Sequence, residues 1–150
     1  MHRLVPALVL SLLSTPAFAS GGLSCDVTDD AVTITIQSGI THGLGSPLFN
    51  FHGEIEIKGG AVGDPLRRTT FEREHVPQYW VDDDGLKLRL YRETQTGRHG
   101  SVEAVIITGV DEEEATWDGT YTVSVFDAGE EGAPQPEPLE FSGPVRCFVE

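Results

Sequence analysis

Hydrophobic residues alternate with polar residues along most of this chain. The segments 31–36, 86–91 and 121–126 each place an apolar side chain at every second position. A period of two is the spacing of a β-strand with one buried face, whereas an amphipathic helix has a period near 3.6. Because no segment of helical length carries that longer period, the pattern predicts an all-β protein.

The spacing of these segments indicates an antiparallel architecture. Strand-like segments recur about every ten to fifteen residues, and Asp84-Gly85 and Asp118-Gly119 are sequences typical of two-residue hairpin turns. We predict a small antiparallel β-sandwich of about seven or eight strands, with a closed β-barrel as the alternative. The more continuously apolar segment 102–110 predicts a central strand that is covered on both faces.

The N-terminus has the three parts of a secretory signal. Arg3 supplies a positive charge, the stretch 4–13 is apolar, and the Ala-Phe-Ala sequence at 17–19 is the pattern after which signal peptidase cleaves. The apolar stretch is shorter than the ~20 residues that a membrane-spanning helix needs. We therefore predict a signal peptide at 1–19, a single β domain at 20–150, no membrane span, and a periplasmic or secreted location.

The two cysteines, Cys25 and Cys147, lie near the two ends of the predicted domain. Disulfides persist in exported proteins, so we predict a bond between these residues. Such a bond closes a loop of about 120 residues and brings the first and last strands together, with the two Cα atoms about 5–6 Å apart.

The charge of the chain restricts its partners. The formal net charge is −14, and loss of Arg3 with the predicted signal peptide makes it −15. Binding to nucleic acid or to anionic lipid depends on clusters of Lys and Arg, which neutralise phosphates and release counterions. We therefore expect no nucleic-acid partner, and a soluble acidic domain.

Acidic and histidine side chains supply metal-binding groups without forming a known metal motif. The turn at 82–85 is rich in Asp, but alignment of Gly85 with the glycine of an EF-hand loop puts Trp80 and Tyr91 where acids are required. No cofactor is therefore expected, while an irregular calcium site at the acidic turn and a copper or zinc site at the histidines stay open as alternatives. The candidate ligands are His42, His52, Asp82 and Asp84.

Binding is better supported than catalysis. The chain contains no Gly-x-Ser-x-Gly nucleophile elbow, and we assign no catalytic residue. Amphipathic aromatic side chains at strand ends are typical of recognition surfaces, and Tyr79, Trp80 and Trp117 occupy such positions. The alternation places Tyr79 and Trp80 on opposite faces of their strand.

We therefore expect an exported, non-catalytic binding or accessory module that contacts another envelope or secreted protein through strand edges or through these aromatic residues. Two alternatives stay open. One is a periplasmic protein that binds a small molecule or a metal, and the other is a hydrolase without a sequence signature. The fold class alone does not choose among them, because small β domains serve many functions.

Overall fold

The computed structural model describes residues 20–41, 48–111, 113, 116–129, 132 and 134–149, so the predicted signal peptide and His42 lie outside the described residues. Within this part of the chain, no helix is long and apolar enough to cross a membrane. The elements are β1 (Ser20–Thr28), β2 (Val32–Thr41), β3 (Leu48–Ile57), α1 (Asp64–Arg67), β4 (Arg68–Glu72), a 3₁₀ turn (Arg73–His75), β5 (Gln78–Asp82), β6 (Gly85–Glu93), β7 (Gly100–Asp111), β8 (Thr116–Asp127) and β9 (Leu139–Val149).

The described strands form one antiparallel sheet in the order β4-β3-β2-β1-β9-β8-β7-β6-β5. Each strand pairs with its neighbour in sequence, except that β4 and β5 do not pair, and β1 pairs with β9. The sheet curls into a half-barrel with β4 and β5 at its edges. The all-β prediction is confirmed. The architecture is intermediate between the two that the sequence suggested, because it has one curled sheet where a sandwich has two, and the sheet does not close as a barrel does.

The sheet has nine strands, more than the seven or eight that the alternation predicts. The additional strands arise at 68–82, where two five-residue strands, β4 and β5, flank the 3₁₀ turn. A five-residue strand places at most three side chains on one face, which is too few for a period of two to define the bounds of the strand. A hairpin is confirmed where β5 turns into β6, but its position is shifted by one residue: Asp82 pairs with Gly85, so the two turn residues are Asp83 and Asp84 and Gly85 begins β6.

The core lies on the concave face of the sheet and follows from the alternation. Every second residue is buried there along β2, at 86–90 of β6 and at 121–125 of β8, as the sequence predicts. Burial of an aliphatic side chain of this kind contributes about 1.5–3 kcal/mol each to folding. The opposite face is convex and carries most of the polar partners of the alternation.

The predicted disulfide joins Cys25 of β1 to Cys147 of β9. The two residues are direct partners in the β1–β9 ladder, and both side chains are fully buried in the core. Their Cα atoms are 4.1 Å apart, closer than the 5–6 Å expected from the sequence. The reason is the register, since directly opposed residues of antiparallel strands can approach to about 4.5 Å.

The prediction of a hairpin turn at Asp118-Gly119 is wrong. Both residues lie inside β8, where Asp118 pairs with Gly109 and Gly119 pairs with Thr108 of β7. Gly119 is needed for close approach rather than for a turn, because a Cβ atom there would lie 2.6 Å from the Cα of Thr108 and still closer to the carbonyl oxygen of Ile107. Asp118 instead faces Arg146 of β9, with which it forms an ion pair of 2.7 Å.

A buried tyrosine ties the middle of β8 to the β1–β2 turn. The hydroxyl of Tyr121 donates a hydrogen bond to one carboxylate oxygen of Asp29. The other oxygen accepts hydrogen bonds from the backbone N–H groups of Ala31 and Val32, each 2.8 Å long. Asp29 therefore closes the β1–β2 turn and fixes that turn against the core through Tyr121.

The same contacts shift the pKa values of Tyr121 and Asp29. Burial raises the pKa of Tyr121, and the hydrogen bond to Asp29 raises it further. Burial also opposes ionisation of Asp29, but the hydrogen bonds from Tyr121, Val32 and Ala31 and the charge of Lys58 outweigh it, so the pKa of Asp29 is lowered. At pH values above the pKa of Asp29 and below that of Tyr121, the contact is thus made between a charged aspartate and a neutral tyrosine.

We expect Tyr121→Phe to lower the free energy of unfolding by about 1 kcal/mol near pH 7, since Asp29 is only partly buried. The lowered pKa of Asp29 gives stability that is present above its unfolded value near 3.8 and is lost as the pH falls further. The raised pKa of Tyr121 gives stability that is lost above about pH 10, where the unfolded chain ionises first. Urea unfolding of both proteins from pH 3 to 11 should show a difference that shrinks at both extremes. A difference that is constant with pH would contradict this account.

Candidate functional site

Two large apolar side chains are prominent on the convex face of the sheet. Trp80 of β5 is 62% exposed and Ile107 of β7 is 50% exposed. The two lie in one row across three strands, because Trp80 pairs with Lys87 of β6 and Lys87 pairs with Ile107. They line a shallow hollow of about 400 Å³, which we call the Trp80 hollow. Its convex-face lining consists of Gln78, Trp80, Lys87, Arg89, Val105 and Ile107.

The indole of Trp80 is tied to the turn that follows its strand. Its Nε1–H donates a hydrogen bond to a carboxylate oxygen of Asp82, and the other oxygen accepts hydrogen bonds of 3.0 Å and 3.2 Å from the backbone N–H groups of Asp84 and Gly85. The hydrogen bond from Trp80, followed by those from the backbone and by the charge of Lys87, lowers the pKa of Asp82. Asp82 therefore stays charged in mildly acidic solution and keeps the ring oriented.

The charges around the Trp80 hollow are distributed unevenly. On the β6–β7 side, Arg89 forms an ion pair of 2.7 Å with Glu103, so much of its charge is compensated within the protein. At the end of β5, Asp82, Asp83 and Asp84 form a run of exposed residues. Lys87 lies between the apolar side chains of Trp80 and Ile107, and its charge acts on Asp82. The site thus combines apolar side chains on either side of a lysine with a negative end.

Half of this site was missed by the sequence reasoning. The apolar segment 102–110 predicts a strand covered on both faces, and this prediction is wrong for the convex face, where Val105 is half-buried and Ile107 is exposed. β7 is flanked by β6 and β8 within the sheet, but no described element packs over its convex side at Ile107. Apolar residues at both the inward and the outward positions of one strand were the signal that could have revealed the patch.

The three predicted aromatic residues do not form one surface. Trp80 lies on the convex face, whereas Tyr79 and Trp117 are partly buried and pack against the core. Tyr79 lies beneath Arg73 of the 3₁₀ turn, whose guanidinium carbon is 5.0 Å from the centre of the ring. The predicted opposition of Tyr79 and Trp80 agrees with the structure, and Trp80 is the residue of the three that is available to a partner.

The predicted metal ligands are separated. His52 lies on β3, where its Nδ1 is 3.2 Å from a carboxylate oxygen of Glu72 on β4. Asp82 accepts the hydrogen bonds of its own turn, and the backbone oxygen of Asp84 accepts a hydrogen bond of 3.2 Å from the N–H of Val110. That contact brings the acidic turn close to the end of β7. Nevertheless, no group of three or more His, Cys, Asp or Glu residues suited to a metal ion occurs among the residues described.

Comparison with known proteins gives no relative. No protein-family model matches the chain, and no significant match was found among curated proteins or among solved structures. The function is therefore inferred from the surface and the backbone of this chain itself.

Proposed function

We propose that this protein is an exported, non-catalytic binding module that contacts another exported protein through the Trp80 hollow. The observation that carries the proposal is that Trp80 and Ile107, the two most exposed large hydrophobic side chains among the residues that the structure describes, line the same hollow. Single exposed apolar residues are common on protein surfaces, but two large ones that line one hollow on a sheet face favour an interface.

The chemistry of the hollow suits recognition of a protein. Tryptophan is strongly enriched among the few residues that dominate binding energy, because it buries a large apolar area and retains one polar group. Here that polar group is already bonded to Asp82, so a partner can cover the ring without leaving the Nε1–H unpaired. Lys87 adds an aliphatic stem between Trp80 and Ile107.

Two features support action outside the cytoplasm. The segment 1–19 has the charge, apolar stretch and small-residue pattern of a secretory signal. The buried Cys25–Cys147 disulfide is of a kind that persists in oxidising compartments. Both agree with a partner that is itself an envelope or secreted protein.

Trp80→Ala should weaken partner binding by at least about 30-fold, the loss that corresponds to a hot-spot residue worth 2 kcal/mol or more. The immobilised domain 20–150, as wild type and as variant, is exposed to an envelope and secreted-protein extract, captured proteins are identified by mass spectrometry, and their affinities are measured after purification. The variant should remain folded, with a stability change below about 1 kcal/mol, because the side chain lies on the solvent side of an edge strand.

Phe148→Ala is the matched control. Phe148 is also a large aromatic residue, 47% exposed, but it lies on β9 and does not line the Trp80 hollow. A partner that is lost with Trp80→Ala and retained with Phe148→Ala supports the proposal. Equal capture by all three proteins would place the interface elsewhere and would refute it.

A further inference from the structure

The two edge strands of the sheet, β4 and β5, differ in whether a side chain covers their free backbone groups. At the β4 edge, the guanidinium of Arg92 reaches from β6 and donates hydrogen bonds to the backbone oxygen of Thr70 and, at 2.8 Å, to its Oγ1. A charged side chain that occupies backbone acceptors is a recognised means of blocking an edge against added strands. The β4 edge is therefore blocked at its centre.

The β5 edge lacks such protection. Among the described residues, β5 pairs with β6 alone, and no side chain or loop donates to or accepts from the backbone of 78–82 on the other side. An edge strand leaves every second N–H and C=O unpaired, which is the template for addition of another strand. The Trp80 hollow adjoins this edge, since Trp80 itself belongs to β5.

An added strand would meet a defined set of side chains. On the convex face of β5 these are Gln78, Trp80 and Asp82, each two residues from the next. A residue of the added strand opposite Trp80 would stand about 4.5–5.5 Å away between Cβ atoms, close enough to cover the ring. A residue two positions further along would stand opposite Asp82, with Asp83 beyond it.

The negative charge near the end of β5 determines which kind of added strand fits best. The carboxylate of Asp82 is held ionised by its hydrogen bonds, and the whole chain carries a net charge of −14. A basic segment is attracted to this end of β5, whereas a second copy of the same acidic chain is repelled. The occupant with the best electrostatic fit is thus a cationic segment of a different protein.

We propose that β5 and the Trp80 hollow form one recognition site, which takes up an extended segment of the partner as an additional strand beside β5. The segment carries an apolar side chain opposite Trp80 and a Lys or Arg opposite Asp82. This inference rests on the proposed function but goes further, because it specifies backbone pairing and a cationic sequence where the proposed function requires only contact with the hollow.

The test uses the domain 20–150 and the capped peptide Thr-Lys-Thr-Leu-Thr-Lys-Thr, whose symmetry suits either strand direction. Trp117→Phe leaves Trp80 as the single tryptophan, so its fluorescence reports binding at the site. We expect saturable binding of this peptide. Replacing its Lys residues with Glu should weaken binding at least about 10-fold. Trp80→Ala, which removes the fluorescent ring and is therefore measured by calorimetry, should weaken binding at least about 30-fold.

Backbone pairing is tested by two further peptides, one N-methylated at the Thr positions and the other at the Lys and Leu positions. Only alternate N–H groups of an added strand face its neighbour, so one peptide should lose at least about 10-fold in affinity and the other should not. Amide hydrogen exchange at 78–82 should slow in the complex. Equal binding of both methylated peptides, or no change in exchange, would refute strand addition.

Three further outcomes would contradict the cationic-strand inference without contradicting the proposed function. Failure of the Lys peptide to bind at millimolar concentration, equal binding of the Glu peptide, or a β5-mediated dimer in sedimentation would each overturn the cationic-strand inference. None of them affects the capture of a partner by the Trp80 hollow, so the failure of this inference and the failure of the proposed function are distinguished. Conversely, equal partner capture by Trp80→Ala would refute the proposed function directly.

Discussion

Replacing Cys25 and Cys147 together with alanine is expected to lower the free energy of unfolding by about 4–5 kcal/mol, the largest effect of any change proposed for this chain. The two residues are separated by 122 positions, so their bond closes almost the whole described domain into one loop. In the chain-entropy account, the bond limits the unfolded chain far more than the folded one. Urea unfolding at equilibrium measures the difference.

The wild-type protein in reductant is the matched control for this double variant. It lacks the cross-link but keeps both buried sulfur atoms, so it should agree with the double variant to within about 2 kcal/mol if the cross-link is the main contribution. Because β1 and β9 are the first and last described strands and pair directly, their junction should lose amide protection first. A double variant within about 1 kcal/mol of the oxidised protein would contradict the prediction.

Gly119→Ala should destabilise the sheet by about 3 kcal/mol, the upper end of the range for overpacking. The added Cβ would meet the backbone of Ile107 and Thr108, and backbone atoms within a paired strand cannot rotate away as a side chain can. β7 and β8 would have to separate at this point. Thermal and urea unfolding measure the loss.

Gly22→Ala provides the comparison. Gly22 is also a strand glycine, but a Cβ atom there would have no heavy atom within 4 Å. Alanine at this position should be neutral or stabilising by up to about 1 kcal/mol, because it restricts the unfolded chain. If the two variants behaved alike, close backbone approach would not be the reason for Gly119.

The candidate site was predictable in part. Trp80 was identified from its place at a strand end, and alternation alone put Tyr79 on the other face. Ile107 was not identified, because an apolar residue at an outward position looks the same in sequence whether another layer covers it or solvent does. Trp117 was grouped with Trp80, although β6 and β7 separate their strands and the two side chains point to opposite faces. Strand order across the sheet, which single-strand periodicity does not contain, decided that separation.

The sequence by itself determined the all-β class, the inward residues of the long strands, the presence of a hairpin within one residue of its position at 83–84, and the Cys25–Cys147 pair. Period, turn chemistry and cysteine number are local or compositional properties. Only the tertiary structure decided that the strands form one half-barrel and that Asp118-Gly119 lies inside β8. It also decided that Arg92 blocks the β4 edge, while the outer edge of β5 pairs with no other described strand. These features depend on contacts between segments distant in sequence. They are determined by the curvature of the sheet and by the register of its strands, and no short stretch of residues specifies the curvature or the register.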